Sequence, residues 1–351
     1  VQRVRETVDY RGHAVRVTGG VGVAAMPDHG GGVDTLLRAA DLALYAAKRE
    51  GGNRAVVYEA GLLEQAERRF AVIAAGRAAY DGDRIVPAYQ PIFDLTTGAL
   101  AGLEALFRVR APDGTLASLD DMAWIFEDAE VGRAVDLRML DLVLDQIAAW
   151  SRTGLAPDHV SINLCEQALW TADPGDEVLR ALRRRAIPPE RLRTEITETH
   201  LLGDVERIAA AMKALSRQGL RFALDDFGTG HASLTHLKTL PVSEVKIDRS
   251  FVTDIETDAA SRTIVRGLID VCRGLGRSVV AEGIETTAQS ALLRSFGCPN
   301  GQGWLFGRPV GAEVIEAELL RSVHRQMAAR PAKDAAGTVR TARRRAASRL
   351  P

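Results

Sequence analysis

Two adjacent aspartates, Asp225 and Asp226, follow an apolar run in the stretch FALDDFGTG, residues 222–230. Successive residues of a strand point to opposite faces, so neighbouring carboxylates can serve one partner only where the strand ends and the chain turns. Two carboxylates held close together resist joint ionisation, and a cation between them relieves the repulsion. Aspartates are also common at turns and helix caps, so the doublet alone does not predict a metal site.

Similar polar side chains end the other predicted strands. Carboxylates and amides dominate the set, and neither His nor Cys occurs in it. Hard oxygen donors of this kind favour Mg²⁺ or Mn²⁺ over Zn²⁺. Each residue alone could be a cap or a surface charge, but six consecutive strand ends with one ligand type indicate a site. In chain order the residues are Glu104, Asn163, Glu195 with Glu198, Asp225 with Asp226, Lys246 with Asp248, Glu282 and Gln302.

This set predicts a reaction at two metal ions. With ions about 3.5–4 Å apart, one aspartate of the doublet can bridge them while its neighbour binds only the second ion. Lys246 cannot bind a cation, and we expect it to orient or deprotonate the attacking water or to stabilise developing negative charge. Arg108 offers a planar fork suited to a phosphate oxygen. Metals and a phosphate clamp together predict phosphodiester hydrolysis.

Alternating strands and helices must position these residues. Between about residues 86 and 306, short apolar runs with polar ends alternate with longer amphipathic segments, a pattern that predicts a TIM-like (β/α)8 barrel. Pro87, Pro91 and the turn TTG predict that the first strand runs antiparallel to its neighbour. The eight predicted strands are PAYQPIFDL, GLEALFRV, HVSINL, LRTEITE, RFALDD, EVKID, SVVAEGI and GWLF.

Composition limits the classes of partner. Lys plus Arg number 45 and Asp plus Glu 46, so no global charge attracts nucleic acid or an anionic membrane. The three cysteines lack metal-ligand spacing, which favours core thiols in a reducing cytoplasm. No uninterrupted apolar segment has membrane-spanning length. Because the chain starts at Val1, an upstream region could carry a sensor or an inner-membrane anchor.

Motifs in order over residues 86–310 resemble the EAL-domain phosphodiesterases of cyclic di-GMP. The matching stretches are YQPIFDLTTGALAGLEALFR, VSINL, TEITE, LDDFGTGHASLTHL, VKIDRSFV, AEGIET and GQGWLFGRP. The resemblance implies a TIM-like barrel that opens cyclic di-GMP to linear pGpG with metal-activated water, and a homodimer formed through this domain. Such an enzyme lowers the second messenger in bacterial signalling. A departure occurs at Trp304, where tyrosine is usual, and others occur at His231 and Ala232.

The resemblance also implies roles for single residues. Lys246 matches the water-contacting lysine, and Glu198 matches the glutamate that steadies the loop after Asp226. Glu282 matches both a metal ligand and a candidate general base, and the sequence leaves that choice open. The implied ligands of the first metal are Glu104, Asn163, Glu195 and Asp225, and those of the second are Asp225, Asp226 and Glu282. The implied substrate contacts are Gln90, Arg108 and Gln302.

The N-terminal stretches VTGGVGVAAMP and LLRAADLALYAAKREGGNRAVVYE resemble the C-terminal end of a GGDEF cyclase domain. The loop that would hold GTP is not in this chain, so cyclase activity is not implied. We expect this GGDEF fragment at residues 1–60, a helical connector at 61–80, the EAL domain at 81–327 and a disordered basic tail at 328–351. The alternatives are a receptor that holds cyclic di-GMP without cutting it and signals through a partner, and a structural remnant.

Overall fold

The computed structural model describes residues 8–10, 13–15, 18–49, 51–117, 123–155, 157–164, 176–197, 205–228, 234–317 and 319. Several positions that the sequence singles out lie outside the described residues: Glu198, Cys165, residues 229–233 and the tail 328–351. The chain divides into two compact units. The smaller comprises Val1–Asp81 and Leu119–Val131, and the larger comprises Gly82–Ser118 and Gly132–Pro351.

The smaller unit is an α+β piece with two small sheets. Strands β1 (Val8–Tyr10) and β2 (His13–Val15) pair antiparallel, and strands β3 (Val21–Val23) and β4 (Ala55–Val57) pair parallel. The apolar stretch HAVRVTGGVGVA predicts a single strand, but β2 and β3 are separate strands, and residues 18–20 between them are not in a ladder. Its helices are α1 (Val33–Arg49), α2 (Ala60–Asp81) and α3 (Ala123–Glu127).

A closed eight-stranded barrel forms the centre of the larger unit, as predicted. The strands follow the chain around the barrel, with six neighbouring pairs parallel, and the first strand closes it between the second and the eighth. This first strand is antiparallel to both neighbours, which confirms the expectation from its prolines and its turn. The barrel strands are β5 (Ile85–Asp94), β6 (Leu100–Arg110), β8 (Val160–Asn163), β9 (Leu192–Thr197), β10 (Arg221–Phe227), β11 (Glu244–Ile247), β12 (Ser278–Ala281) and β13 (Asn300–Gln302).

Helices lie between the strands, and β7 (Leu116–Ala117) extends β6 as a hairpin. In the part of the chain that the structure describes, no helix is both long and apolar enough to cross a membrane. The helices are α4 (Ala129–Thr153, which begins in the smaller unit), α5 (Asp176–Arg184), a 3₁₀ turn (Pro189–Arg191), α6 (Val205–Ser216), α7 (Leu234–Thr239), α8 (Arg249–Thr253), α9 (Ala259–Gly274), α10 (Thr287–Ser295) and a helical segment at 312–317.

The eighth strand corrects the sequence prediction. The apolar run GWLF turns at residues 303–306, and the strand is the preceding Asn300–Gln302. A Cβ on Gly301 would lie 2.6 Å from Ile284 Cδ1, and one on Gly303 would lie 2.1 Å from the Ile284 carbonyl oxygen. Glycines therefore let this strand approach the chain after β12 closely. Apolar content could not reveal the strand, because backbone pairing and close approach define it.

Candidate metal centre

The aspartate doublet lies on a bulge, not at a strand end. On β10, Leu224 pairs with Val245 and Phe227 pairs with Ile247, so two residues of β10 oppose one of β11. Asp226 takes the left-handed conformation, with φ of 53°, which L-residues adopt at a cost. The extra residue of a bulge re-aims the side chains beside it. The bulge thus replaces the predicted end of the strand as the reason why both carboxylates can serve one site.

Three carboxylates converge at the open side of the barrel. Asp225, Asp226 and Glu282 each offer an oxygen, and these oxygens all lie within 4.8 Å of one another. Asp225 is buried, whereas Asp226 and Glu282 are half-buried. The cluster therefore lies where the barrel interior meets solvent, so small ions and a larger ligand can reach it.

Lys246 lies among the carboxylates of the barrel interior. Its Nζ atom is 2.7 Å from Glu282 Oε1, 2.8 Å from Glu195 Oε2, 3.2 Å from Glu104 Oε2 and 3.4 Å from Asp225 Oδ1. The side chain is 1% exposed. The four carboxylates raise the pKa of Lys246 well above its usual value although its burial acts in the opposite direction. The lysine is therefore a fixed positive charge at the centre of the site.

Amide side chains complete the ring of polar groups. Asn163 Nδ2 donates to Glu104 Oε1 at 3.4 Å and to Glu195 Oε2 at 3.2 Å. Gln302 Nε2 donates to Glu104 Oε2 at 2.6 Å and to Gln90 Oε1 at 2.9 Å. Gln90 in turn donates to the carbonyl of Gly307 at 3.0 Å. These contacts join five strands of the barrel in one hydrogen-bond network.

Part of the site is deeper in the barrel than the sequence suggests. Glu104 is 5% exposed, Glu195 is fully buried, and Glu104 is the fifth of eleven residues in β6. The sequence predicts both at strand ends, but neither is the last residue of its strand and both are buried. Strand β6 continues past Glu104 because its last residues pair with β5 and β7.

Burial dominates the ionisation of the carboxyl groups. It raises the pKa of Glu282 to about 8 and that of Asp226 to about 6, and it raises the pKa of Asp225 and Glu195 as well. The carboxyl of Glu104 differs: burial raises its pKa, but the charge of Lys246 and the hydrogen bond from Gln302 outweigh burial and lower it overall. More positive charge is needed to keep all five carboxylates ionised than Lys246 supplies.

The residues present fit hard divalent cations. Their donor atoms are carboxylate and amide oxygens, which Mg²⁺ and Mn²⁺ prefer. Glu195 Oε1 is a buried oxygen without a hydrogen-bond partner. Buried polar atoms are normally satisfied, so an unpartnered oxygen beside other carboxylates is a feature that a bound cation would explain. Asn163 is exposed at the end of β8 and borders the same space.

In the part of the chain that is described, Arg108 hydrogen-bonds to backbone and to no side chain of the other predicted site residues. It lies four residues after Glu104 on the same face of β6, and its Nη1 donates to the Phe107 carbonyl at 2.7 Å. Burial lowers the pKa of its guanidinium, and the charge of Glu104 opposes that shift. The structure thus brings together the other predicted site residues that it describes, with Arg108 bonded to backbone at the edge of the group. Asp248 is the exception, because it caps α8 and accepts from the Ser250 N–H at 3.0 Å.

Sequence reasoning missed a second charged layer inside the barrel. Arg193 and Glu244 lie two residues before Glu195 and Lys246 on the same strands and form an ion pair. The two-residue period of a strand places them on the interior face with the site residues. That period is the signal that could have revealed them in the sequence.

Family models match most of the chain. A model described as "EAL domain" matches residues 74–309, and one described as "Diguanylate cyclase, GGDEF domain" matches residues 1–54. The chain is 32% identical over 319 residues to "Bifunctional diguanylate cyclase/cyclic di-GMP phosphodiesterase MucR" of Pseudomonas aeruginosa, covering 91% of this chain and 47% of MucR. It is 32% identical over 322 residues to "Cyclic di-GMP phosphodiesterase NbdA" of the same species, covering 92% of this chain and 41% of NbdA. The chain spans less than half the length of these relatives.

Solved structures resemble the chain over about the same region. "PaMucR Phosphodiesterase, c-di-GMP complex" has a TM-score of 0.66 and 33% identity, and the match covers 70% of this chain and 99% of that chain. The EAL domain of Mycobacterium smegmatis DcpA has a TM-score of 0.58 and 29% identity, with 69% and 98% covered. The first of these structures is a complex with cyclic di-GMP.

Proposed function

The chain belongs to the EAL domain family, and we propose that it hydrolyses cyclic di-GMP to linear pGpG with two divalent cations, Mg²⁺ or Mn²⁺. The observation that carries the proposal is the convergence of four carboxylates on Lys246, with Asp226 within 4.8 Å of two of them, at one end of the barrel. The names of MucR and NbdA describe them as cyclic di-GMP phosphodiesterases, which supports the same substrate here.

The interior residues would hold the cations in two groups. Glu104, Asn163, Glu195 and Asp225 would bind the first cation, and Asp225, Asp226 and Glu282 the second. When bound, such cations lower the pKa of water and neutralise charge on phosphoryl oxygens. A role for Asp225 in both groups is supported by its contacts, since its Oδ1 lies 3.4 Å from Lys246 Nζ and its carboxylate lies within 4.8 Å of those of Asp226 and Glu282.

The chain's own residues would supply orientation and proton transfer. Lys246 keeps its positive charge, so its ammonium can donate a hydrogen bond to the attacking water and stabilise negative charge that develops on the phosphate. Glu282 lies 2.7 Å from that ammonium and is half-buried, which places a carboxylate where it can accept the proton of the water. A role for Glu282 as general base and a role as ligand both remain in the proposal.

Substrate contacts would come from two buried amides and from two side chains nearer the solvent. Gln302 Oε1 is buried and unpartnered, and Gln90 joins Gln302 to the backbone at Gly307, so both amides are held in fixed orientations. Arg108 would bind a phosphate oxygen by giving up its contact with the Phe107 carbonyl. Trp304 is 55% exposed, and the Arg308 guanidinium lies 4.2 Å from the centre of its ring, so the opposite face of the ring would stack on a guanine base.

Two parts of the proposal rest on the sequence alone. We propose a homodimer formed through the EAL domain, and we propose that Glu198 holds the loop after Asp226. The division into a GGDEF fragment at 1–60, a connector at 61–80, an EAL domain at 81–327 and a tail at 328–351 is likewise a proposal. Size-exclusion chromatography with light scattering tests the dimer, and Glu198→Gln tests the loop through activity and metal affinity together.

One assay tests hydrolysis directly. The purified chain is incubated with cyclic di-GMP and Mg²⁺ or Mn²⁺, with and without excess EDTA, and the products are separated by chromatography. Formation of pGpG that requires metal supports the proposal. Binding of cyclic di-GMP without turnover would instead identify a receptor that acts through a partner, the alternative function. Full activity in EDTA would contradict the role of the cations.

A further inference from the structure

Two ion pairs cross strand β10 inside the barrel, one beneath the other. In the upper pair, Lys246 Nζ lies 2.8 Å from Glu195 Oε2. In the lower pair, Arg193 Nη1 lies 2.6 Å from Glu244 Oε1. The cation and the anion of each pair stand on β9 and β11, which both neighbour β10. The lower pair is therefore one pleat period deeper than the candidate metal centre.

The order of charges is reversed between the two pairs. On β9 the cation Arg193 precedes the anion Glu195, and on β11 the anion Glu244 precedes the cation Lys246. Residues two apart on a strand are separated by about 6.5–7 Å. Each charge therefore has an opposite charge two residues away on its own strand and another on the far side of β10. Because the charges alternate along both strands, the lower pair and the upper pair attract each other.

Ala223 of β10 lies between the strands that carry the two pairs. It pairs with Glu195 of β9 on one side and with Glu244 of β11 on the other, so its methyl group faces the barrel interior. Strand β10 therefore presents only a methyl group to the interior between Glu195 and Glu244.

The lower pair is held in place by His159. Arg193 Nη1 lies 2.7 Å from His159 Nε2, and because guanidinium can only donate, this ring nitrogen accepts and the imidazole is neutral. A Cβ on Gly102 would lie 2.4 Å from His159 Cε1, so glycine makes room for the ring. Arg193 is 14% and Glu244 2% exposed at the side chain. The pair is therefore buried, fixed in position and shielded from solvent.

Stability alone is a weak reason for such an arrangement. Buried ion pairs lose solvation, and replacing both partners with apolar residues of similar volume is often neutral or stabilising. The pKa of Glu244 is raised by burial, and the charges of Arg193 and then Lys246 oppose that shift, so the upper lysine acts on the lower pair. The charges of the two pairs therefore lie close enough to interact.

We propose that Arg193 and Glu244 are positioning residues for Glu195 and Lys246. The inference rests on the proposed function, in which Glu195 binds a cation and Lys246 orients the water. The lower pair ties β9 to β11 across β10 and sets the separation at which Glu195 and Lys246 face each other. Its reversed charges hold each upper side chain over an opposite charge, so that neither is free to turn away.

The test compares manganese binding with stability. The double variant Arg193→Met with Glu244→Met removes both charges and keeps apolar volume, so the fold is expected to persist. Mn²⁺ affinity is measured by electron paramagnetic resonance of free Mn²⁺, and unfolding by circular dichroism. We expect affinity to fall about tenfold, in the range found when groups that orient metal ligands are removed, with the melting temperature nearly unchanged. With cyclic di-GMP, kcat should fall while KM changes little.

A matched control removes an ion pair far from the site. The double variant Arg133→Met with Glu177→Met deletes a pair with 41% and 37% exposed side chains, and it should leave Mn²⁺ affinity unchanged. Glu244→Gln is the second variant: it retains a hydrogen-bonding side chain and removes the charge, and it too should weaken Mn²⁺ binding. This variant decides the question if the double methionine variant does not fold.

The outcomes separate this inference from the proposed function. Unchanged Mn²⁺ affinity and kcat in a folded variant overturn the positioning role, as does loss of folding in both variants, which makes the pair a folding element. A wild-type chain that binds Mn²⁺ but does not cut cyclic di-GMP refutes the proposed function, and the comparison of affinities still decides the inference. A wild-type chain that binds no Mn²⁺ overturns both.

Discussion

Glu282 lies one pleat period beyond the residue that pairs with Lys246, yet its Oε1 is 2.7 Å from the lysine ammonium. Lys246 pairs with Val280 on β12, and Glu282 follows two residues later, where its backbone N–H donates to the Ile247 carbonyl at 3.1 Å. The lysine side chain therefore extends toward the open end of the barrel. Its charge reaches the carboxylates that border solvent as well as the buried ones.

Replacing Asp225 should abolish turnover. Asp225→Asn keeps the shape of the side chain and removes the charge that faces both groups of proposed ligands. Changing groups that only orient metal ligands costs about 10–100-fold in activity, so loss of a ligand should lower kcat by at least about a hundredfold. Steady-state assays with cyclic di-GMP at saturating Mn²⁺ measure it. The control is Asp270→Asn, whose side chain is 57% exposed. Near-parental turnover in the Asp225 variant would refute the two-metal assignment.

Lys246 should contribute more to the unfolding free energy of the metal-free protein than to that of the metal-loaded protein. Lys246→Met leaves buried carboxylates without their cation, and breaking a buried charge network typically costs about 3–5 kcal/mol of unfolding free energy. Bound Mn²⁺ should recover part of that loss while turnover stays severely impaired. Urea unfolding with EDTA or Mn²⁺ measures both states, with the exposed Lys238→Met as control. Equal losses with and without metal would contradict the expectation.

The stabilisation by metal should grow with pH. Folding raises the pKa of Asp226 from 3.8 to about 6 and that of Glu282 from 4.5 to about 8, chiefly through burial. A carboxyl with a raised pKa contributes stability at low pH, and that contribution is lost as pH rises through the folded value. In EDTA the melting temperature should therefore fall from about pH 4 to about pH 8, with both groups contributing below about pH 6 and Glu282 alone above it.

Bound Mg²⁺ should remove most of this fall, because a cation stabilises the ionised carboxylates. Thermal unfolding from pH 5 to pH 9 in EDTA and in Mg²⁺ measures the difference. Glu282→Gln removes the group that titrates near pH 8, so its melting temperature in EDTA should change less at the alkaline end. Parallel curves with and without metal would show that these carboxyls do not bind the cation.

A methyl group at position 303 should disrupt the eighth strand and the site together. The added Cβ of Gly303→Ala would lie 2.1 Å from the backbone oxygen of Ile284, which cannot move aside as a side chain can. Overpacking of this kind costs about 1–3 kcal/mol or more, and Gln302 next to it should lose its orientation. Urea unfolding and KM for cyclic di-GMP measure the two effects.

The control for that prediction is Gly267→Ala in α9, where a Cβ would meet no atom within 4 Å. This change should stabilise the protein by about 0.5–1 kcal/mol, because alanine is the better helix former. Equal stabilities for the Gly303→Ala and parental proteins would contradict the close packing of the eighth strand.

The sequence by itself determined the barrel and the chemistry of its site. Alternating apolar runs and amphipathic segments follow local periods of two and 3.6 residues, which any reader of the chain can see. The residue types of the site are also visible in the sequence, because carboxylates, amides and one lysine stand where predicted strands end. Seven of the eight predicted strands overlap barrel strands of the structure. The amphipathic pattern of residues 34–50 likewise predicts a helix, which is α1, Val33–Arg49.

Only the tertiary structure decided how these residues meet. The bulge that turns Asp225 and Asp226 to one site depends on pairing between β10 and β11, and the eighth strand depends on close approach to Ile284. Glu104 and Gln302 share a hydrogen bond across 198 residues of sequence. Lys246 and the Arg193–Glu244 ion pair are likewise buried only because distant strands pair to close the barrel. Register, bulges and burial are set by contacts between distant segments, and local patterns carry no record of those contacts.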